Sequence, residues 1–380
     1  MMRIMPGSDS TTRRTLGTAA RVLMALKLDG PLLVGLSLVS VYGLVVLYSA
    51  SSQDWGTVLR AVARLGLGAL AMVALAQVRP QQLRAAAPWI YAVGIVLLVV
   101  VDVIGHIGKG AQRWLDLGFI RFQPSEIMKL AVPMLCAWYL HERPLPPTAP
   151  TLGVLAAIIL APAALTAAQP DLGTAILITI GGLLLVIMAG LSVWFMAGAA
   201  TLAGIGAWVG WKYFLHDYQR DRVLTFLDPQ IDPQGAGYHI IQSQIAIGSG
   251  GLFGKGWMHG SQSQLEYLPE RHTDFIFAVI GEEFGLLGLT ILMLLYLFVV
   301  ARALYLASQT QDTFTRLLSA SLALTFFVYI FINTGMVSGL LPVVGVPLPL
   351  VSYGGTSMVT LLASFGILMA LYSHRKLVGS

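Results

Sequence analysis

Ten stretches of this chain are apolar for long enough to cross a bilayer, and that excludes most folds otherwise open to 380 residues. A spanning helix needs about 20 mostly apolar residues, because its backbone amides and carbonyls have no water to bond and must pair within the segment. The stretches are 31–50, 57–77, 88–105, 125–141, 152–168, 172–190, 192–211, 275–303, 316–339 and 351–373. They predict an all-α polytopic membrane protein of about ten transmembrane helices. Composition agrees: 56% of residues are hydrophobic and 11% are charged, against about 25% charged in an ordinary soluble domain. Asp102 interrupts the third stretch and Pro162 the fifth. Neighbouring helices can re-satisfy the backbone at both.

The expected organisation is a basic leader over 1–30, a single transmembrane domain over 31–373 and a tail over 374–380. The leader carries Arg3, Arg13, Arg14, Arg21 and Lys27 and lacks a convincing small-residue cleavage site, so it reads as an anchor and not a removed signal peptide. Lys and Arg in short loops place both termini in the cytoplasm. Residues 212–274 then form a long extracytoplasmic loop between the seventh and eighth helices. The 106–124 loop, with Lys109, Arg113 and Arg121 outside, runs mildly against the charge rule; an anion site there would account for it. The net charge of +5 reflects basic cytoplasmic ends more readily than nucleic-acid binding. The single cysteine, Cys136, excludes an internal disulfide.

Four constellations could carry chemistry. The first is "HTDFIFAVIGEE", with Asp274 at a helix mouth and Thr273 as a plausible N-cap. At 100° per residue, Ala278, Gly281, Gly285 and Gly288 fall within about 40° of the Asp274 direction. That stripe permits close helix packing or leaves a groove for a lipid chain. Asp274 serves either as a base or as a complement to the positive helix end. Glu282 and Glu283 lie about two turns deeper, where a carboxylate is expensive and needs a partner that the sequence does not name. The second is "GKGAQRWLDLGFIRFQPSEIMKL". Glu126 and Lys129 are three apart and share a helix face, either setting register or placing Lys129 against an anion. Arg113 beside Trp114 could offer a guanidinium to phosphate and a flat ring to sugar. The third is "QPDLGTA", where Asp171 caps a helix or takes part in the site. The fourth is "NTGMVSGLLPVVGVPLPLVSYGGTSM". Pro342, Pro347 and Pro349 forbid a continuous helix, so this segment lines a pocket, with Ser352 among its hydroxyls.

Within 212–274, "YHIIQSQIAIGSGGLFGKG" places Tyr238, Ile241 and Ile245 on one face of a short interfacial helix and His239, Gln242 and Ser243 on another. Gln242, Ser243 and Lys255 join the candidate substrate contacts. No zinc motif, P-loop, GxSxG elbow or dinucleotide fingerprint is present.

The fourth run resembles the signature of the SEDS (shape, elongation, division, sporulation) membrane proteins. "KGAQRWLDLGFIRFQPSEIMKLAVP", "QPDLGTA", "DYQRDRVLTFLDP", "GAGYHIIQSQIAIGSGGLFGKGW" and "SQLEYLPERHTDFIFAVIGEEFG" resemble its elongation branch, in order and from about residue 25 onward. The resemblance implies a peptidoglycan glycosyltransferase that polymerises lipid II during cell elongation, with undecaprenyl pyrophosphate released and configuration inverted. It puts the essential extracytoplasmic Asp on Asp274, the important outer-loop Trp on Trp114, and the helix-mouth ion pair on Glu126 and Lys129. It implies the bacterial cytoplasmic membrane, an active site on the periplasmic side, and a class B penicillin-binding protein (a transpeptidase) as partner. A partner helix could dock on 275–303 and 316–339, through small residues such as Gly285, Gly288, Ser319 and Ala320; membrane lipid is the alternative contact. Asp274 would take the acceptor proton. Arg113, Lys129 and Lys255 lead the candidates for steadying the pyrophosphate, followed by Arg220, Arg222 and Arg271. No organic cofactor is implied; a divalent cation (Mg or Mn) could share that charge, although no clear metal-ligand set is visible. Two other functions stay open from sequence: a lipid II flippase, and a non-catalytic scaffold of the cell-wall machinery.

Overall fold

The computed structural model describes residues 18–104, 106–108, 111–116, 121–214, 220, 224–226, 228, 230, 236–265, 267–268 and 270–373. A short helix α1 (Thr18–Ala25) precedes α2 (Gly30–Ala50), α3 (Trp55–Ala76) and α4 (Pro80–Ile104). A small sheet follows: β1 (His106–Gly108), β2 (Ala111–Asp116) and β3 (Arg121–Phe122). Then come α5 (Pro124–Leu140), α6 (Ala149–Ala168), α7 (Leu172–Met188) and α8 (Val193–Val209), which runs into one π-turn. The chain continues through α9 (Ala236–Ser249), α10 (Ser261–Gln264), α11 (Ile276–Ser308), α12 (Thr313–Val337) and α13 (Thr356–Ser373). Each expected span contains a helix over most of its length. Seven helices are long and apolar enough to cross a membrane. α5, α7 and α8 have 17 residues each, the lower end of the spanning range. The protein is a multi-pass membrane protein.

Local chemistry sets the helix starts. Asp29, Asp54, Asp171 and Asp312 each cap a helix by accepting an amide hydrogen bond from its first turn. Around Asp54 the Thr57 hydroxyl and the Gly56 amide hold the carboxyl below the usual range. Proline sits in the first turn of α2, α4, α5 and α6, where no amide is lost. α4 therefore begins at Pro80, eight residues ahead of the expected 88, and carries Pro88 within it.

α12 and α13 form the centre: 67% of the spanning window in each is buried, against 22% in α3 and α4. Two apolar clusters meet on them. One gathers α2, α11 and the 346–351 segment around Tyr296, Phe326 and Phe365. The other gathers α5, α6 and α7 around Met128, Ile159 and Ile178. Away from the sheet, Asp29 accepts both Nε and Nη2 of Arg302 at 3.0 and 2.7 Å, locking α2 to the far end of α11.

α11 is two helices in series. Gly285 has φ +64° and ψ −160° and breaks the run. The glycine stripe packs closely instead of opening a groove. Ile247 fills the space beside Gly281, and a Cβ at Gly285 would lie 2.4 Å from the amide nitrogen of Gly254. The backbone groups freed by the break are taken by the preceding loop. The Lys255 and Gly256 amides donate to the Glu282 and Glu283 carbonyls, and the Leu286 and Leu287 amides donate to the Gly251 and Leu252 carbonyls. Irregular backbone at this depth is affordable only when protein bonds it.

Three further expectations change. The described residues of the 106–122 stretch form a three-stranded sheet, with β1 and β3 both antiparallel to β2. α11 begins at Ile276 and is capped at Phe275, so Thr273 is not its N-cap; the Thr273 hydroxyl donates to Glu270 instead. α13 begins at Thr356 and not at 351, because Leu350 adopts φ +60° and the Ser352 hydroxyl accepts from the Leu348 amide.

Candidate functional site

A cavity of about 230 Å³ opens among α5, α7, α12, the start of α13, the sheet and two irregular segments, 270–274 and 345–355. Trp114, Glu126, Lys129, Asp171 and Asp274, five residues picked from sequence, all line it. Gln123, Glu270, Tyr329, Tyr353 and Thr356 complete much of the wall.

The backbone that carries Asp274 is held at three successive carbonyls. The Tyr353 amide donates to His272 O at 2.8 Å, the Ser352 hydroxyl to Thr273 O at 2.5 Å, and the Asn333 side-chain amide to Asp274 O at 2.9 Å. Asn333 donates also to Val346 O at 2.7 Å, tying α12 to the proline-rich segment. Pro342, Pro347 and Pro349 keep that segment out of a helix, so its groups face inward instead of pairing along an axis. Gly345, at φ +73°, lets the backbone pass close by: a Cβ there would stand 3.5 Å from Asp274 Oδ2. Asp274 itself is half-buried.

Lys129 Nζ lies 2.6 Å from Glu126 Oε1, both side chains almost sealed, and 5.1 Å from the Tyr329 ring centroid. Asp171 is both cap and wall: one oxygen accepts from the Thr174 amide at 3.2 Å, the other from Gln123 Nε2 at 2.8 Å. Trp114 lies on β2, and its ring reaches the Gly355 edge. Among the described lining residues four carboxylates face one ammonium. The cavity therefore suits a neutral, hydroxyl-rich group better than a bare anion.

Other sequence candidates lie elsewhere. Lys255 Nζ pairs with Glu282 Oε1 at 2.8 Å, and Glu282, fully buried, also accepts from the Gln262 and Ser263 amides. That closed network pins α10 and the loop to the first half of α11, and Lys255 does not line the cavity. Glu283 accepts from the Ser49 hydroxyl at 2.5 Å. Ser243 is buried and donates to Val337 O at 2.8 Å, fastening α9 to α12; Ile240, Ser243 and Ala246 form the packed face, while Ile245 points outward. Gln242 lies on α9 and does not line the cavity. Ser352 acts on the backbone before Asp274 and not on the cavity itself. Arg271 donates to Ser263 O and Ser52 Oγ, and Arg220 to the Trp211 and Lys212 carbonyls. The side chain of Arg113, and Arg222, lie outside the described residues. Among the described residues no three His, Cys, Asp or Glu side chains are placed to hold a metal ion. Gln123, just before the "PSE" turn, is the missed residue with a readable signal: a polar group at a helix mouth beside known candidates. Tyr329 offered none, whereas Tyr353 lies in the proline-rich run that the sequence already marks as pocket-lining.

A profile of the FtsW, RodA and SpoVE family, described as cell cycle protein, matches residues 30–377. The chain belongs to that family. It is 52% identical over 351 residues to peptidoglycan glycosyltransferase MrdB of Escherichia coli strain K12, covering 92% of this chain and 95% of that one. It is 39% identical over 291 residues to the protein of the same name from Helicobacter pylori, covering 75% of each. Among solved structures, a chain from a study of polymerization and crosslinking by a peptidoglycan synthase complex superposes with TM-score 0.81 at 33% identity, covering 92% of this chain and 98% of that one. The Thermus thermophilus rod shape determining protein RodA superposes with TM-score 0.70 at 29% identity, covering 92% and 97%. This family member therefore carries its cavity on a fold shared with both.

Proposed function

We propose that this chain polymerises lipid II into glycan strands, with Asp274 as general base. The class of enzyme follows from its relatives: the chain is a peptidoglycan glycosyltransferase. The observation that carries the mechanism is the placement of Asp274 in a cavity with Trp114 and the Glu126–Lys129 pair.

An acceptor hydroxyl attacks the anomeric carbon of the donor sugar. Its proton passes to the Asp274 carboxylate as the new C–O bond forms. The bond from anomeric carbon to phosphate oxygen breaks on the opposite face, and its electron pair leaves with the pyrophosphate. Configuration inverts. A positioned base of this kind contributes about 10²- to 10⁴-fold. The three bonds to the carbonyls of residues 272–274 fix the backbone from which the carboxylate projects. Lys129, steadied by Glu126, is the cation of the inner wall, and the Trp114 ring offers a flat face to the sugar. Drug-sized ligands fill pockets of about 300–1,000 Å³. A cavity of about 230 Å³ takes the reacting sugar and leaves phosphates and lipid outside.

The cavity end, with the sheet and residues 212–274, faces the periplasm in this reading, and both termini lie in the cytoplasm. The partner is a class B penicillin-binding protein held through α11 and α12; a relative's place in a study of coordinated polymerization and crosslinking supports it. Gly285, Gly288 and Ser319 are buried within this chain and offer a partner no surface, while Ala320 is partly exposed. Leu294, Leu297 and Phe331, each more than half exposed, offer the outer face. The deciding experiment supplies lipid II to the purified wild type and to Asp274→Ala, each with its partner. Polymer from wild type alone supports the reading; equal polymer from both ends it.

A further inference from the structure

Two cations behind Tyr353 play no part in the mechanism above. Arg60 and Arg64 are one turn apart on α3, hence on one face. Arg60 Nε donates to the Tyr353 hydroxyl at 3.2 Å; its Nη2 donates to Thr57 Oγ1 at 2.8 Å and lies 3.5 Å from Asp54 Oδ2. The Arg64 guanidinium carbon stands 4.3 Å from the Tyr353 ring centroid, and its Nη1 is buried without a hydrogen-bond partner. Tyr353 in turn lines the cavity beside Asp274. Asp54 is already engaged by the Gly56 and Thr57 amides and the Thr57 hydroxyl, and among the described residues no carboxylate forms an ion pair with Arg64.

Its depth sharpens the point. Arg64 is nine residues into a helix that is otherwise apolar enough to span, about 13 Å at 1.5 Å per residue. A cation there is expensive and marks a partner. On the outward side of the same helix Leu59, Leu67 and Leu70 are 64%, 49% and 70% exposed, a track for an alkyl chain. The inner cavity, with its four carboxylates, is a poor seat for phosphate.

We infer that Arg60 and Arg64 bind the pyrophosphate of the polyprenyl-linked substrate, with the lipid along the outer face of α3 and the sugar reaching past Tyr353 to Asp274. This rests on the reaction proposed above. The test measures polymerisation kinetics of wild type, Arg64→Gln, Arg64→Lys and Arg60→Gln with the partner, in phosphatidylcholine vesicles with and without phosphatidylglycerol. A charge-assisted bond is worth tenfold or more in affinity. Arg64→Gln is expected to raise KM for lipid II about tenfold or more in both vesicle types while kcat is largely kept. Arg64→Lys recovers most of the loss, and Arg60→Gln moves KM in the same direction. Undecaprenyl pyrophosphate alone inhibits wild type more strongly than Arg64→Gln. An unchanged KM overturns the inference, and so does a change confined to vesicles with phosphatidylglycerol, which assigns the arginines to a phospholipid headgroup. If Arg64→Gln does not fold, Arg64→Lys and Arg60→Gln decide by the same readouts. Asp274→Asn separates the two ideas: it is expected to stop turnover yet still bind undecaprenyl pyrophosphate, so loss of the base reading leaves the arginine result standing, and the reverse.

Discussion

Asp274 and Glu282 are eight residues apart, and their surroundings are opposite in kind. Glu282 is fully buried, with Lys255, Ser261, Gln262 and Ser263 all donating to it. Asp274 is half-buried and opens onto a cavity shared with Trp114 and Tyr353. A carboxylate whose lone pairs are consumed by fixed donors cannot accept a substrate proton; one facing a cavity can. Two acidic residues beside one helix are thus divided between holding and reacting, and accessibility makes the division.

The sharpest way to break this contrast is Asp274→Asn. The amide keeps the shape and cannot serve as base, so polymerisation should fall about 10²- to 10⁴-fold with the melting temperature nearly unchanged. Glu282→Ala should do the reverse. Removing the buried carboxylate leaves the Gln262 and Ser263 amides without their acceptor and costs about 1–3 kcal/mol, visible as a lower melting temperature, while kcat per folded molecule holds. Activity lost in Glu282→Ala at full stability would erase the distinction. Lys129→Met lies between the two, because its pair with Glu126 is both buried and in the cavity: stability drops by a similar few kcal/mol, and kcat falls as well. Trp114→Leu keeps bulk and loses the flat ring, and should raise KM for lipid II several-fold, as loss of about 1 kcal/mol of ring contact implies.

The smallest effect is one of pH. His239 packs on the Phe275 ring at 5.6 Å, next to Asp274. Burial lowers its pKa, partly offset by Glu270. A lowered histidine pKa means that the unfolded chain takes the proton first. The stability it adds is present above the ordinary value of about 6.5 and is lost as pH falls through the folded value. Melting temperature should therefore drop less between pH 7 and 5 in His239→Phe than in wild type; equal slopes would remove His239 from the account.

Much of the bundle is legible in sequence because membrane helices are long and their signal is carried by the run itself. The Glu126–Lys129 pair is legible because its partners are three residues apart, and Asp171 because caps are local. The Lys255–Glu282 pair is not: the partners are 27 residues apart, and only the break at Gly285 brings the loop under the helix. The sheet is hidden because two of its three strands have only two or three residues and carry no period. Tyr329 joins the cavity from the middle of an apolar span, where an aromatic ring looks like ordinary packing.

Phe253 is 78% exposed at the tip of the loop whose neighbours on both sides bond to the broken helix. A spin or fluorescent label placed there would stand outside the packed protein, yet remain coupled by hydrogen bonds to the segment behind Asp274. Distances from it to a second label at the sheet would register any reorientation of that segment during turnover, without a probe inside the reaction chamber.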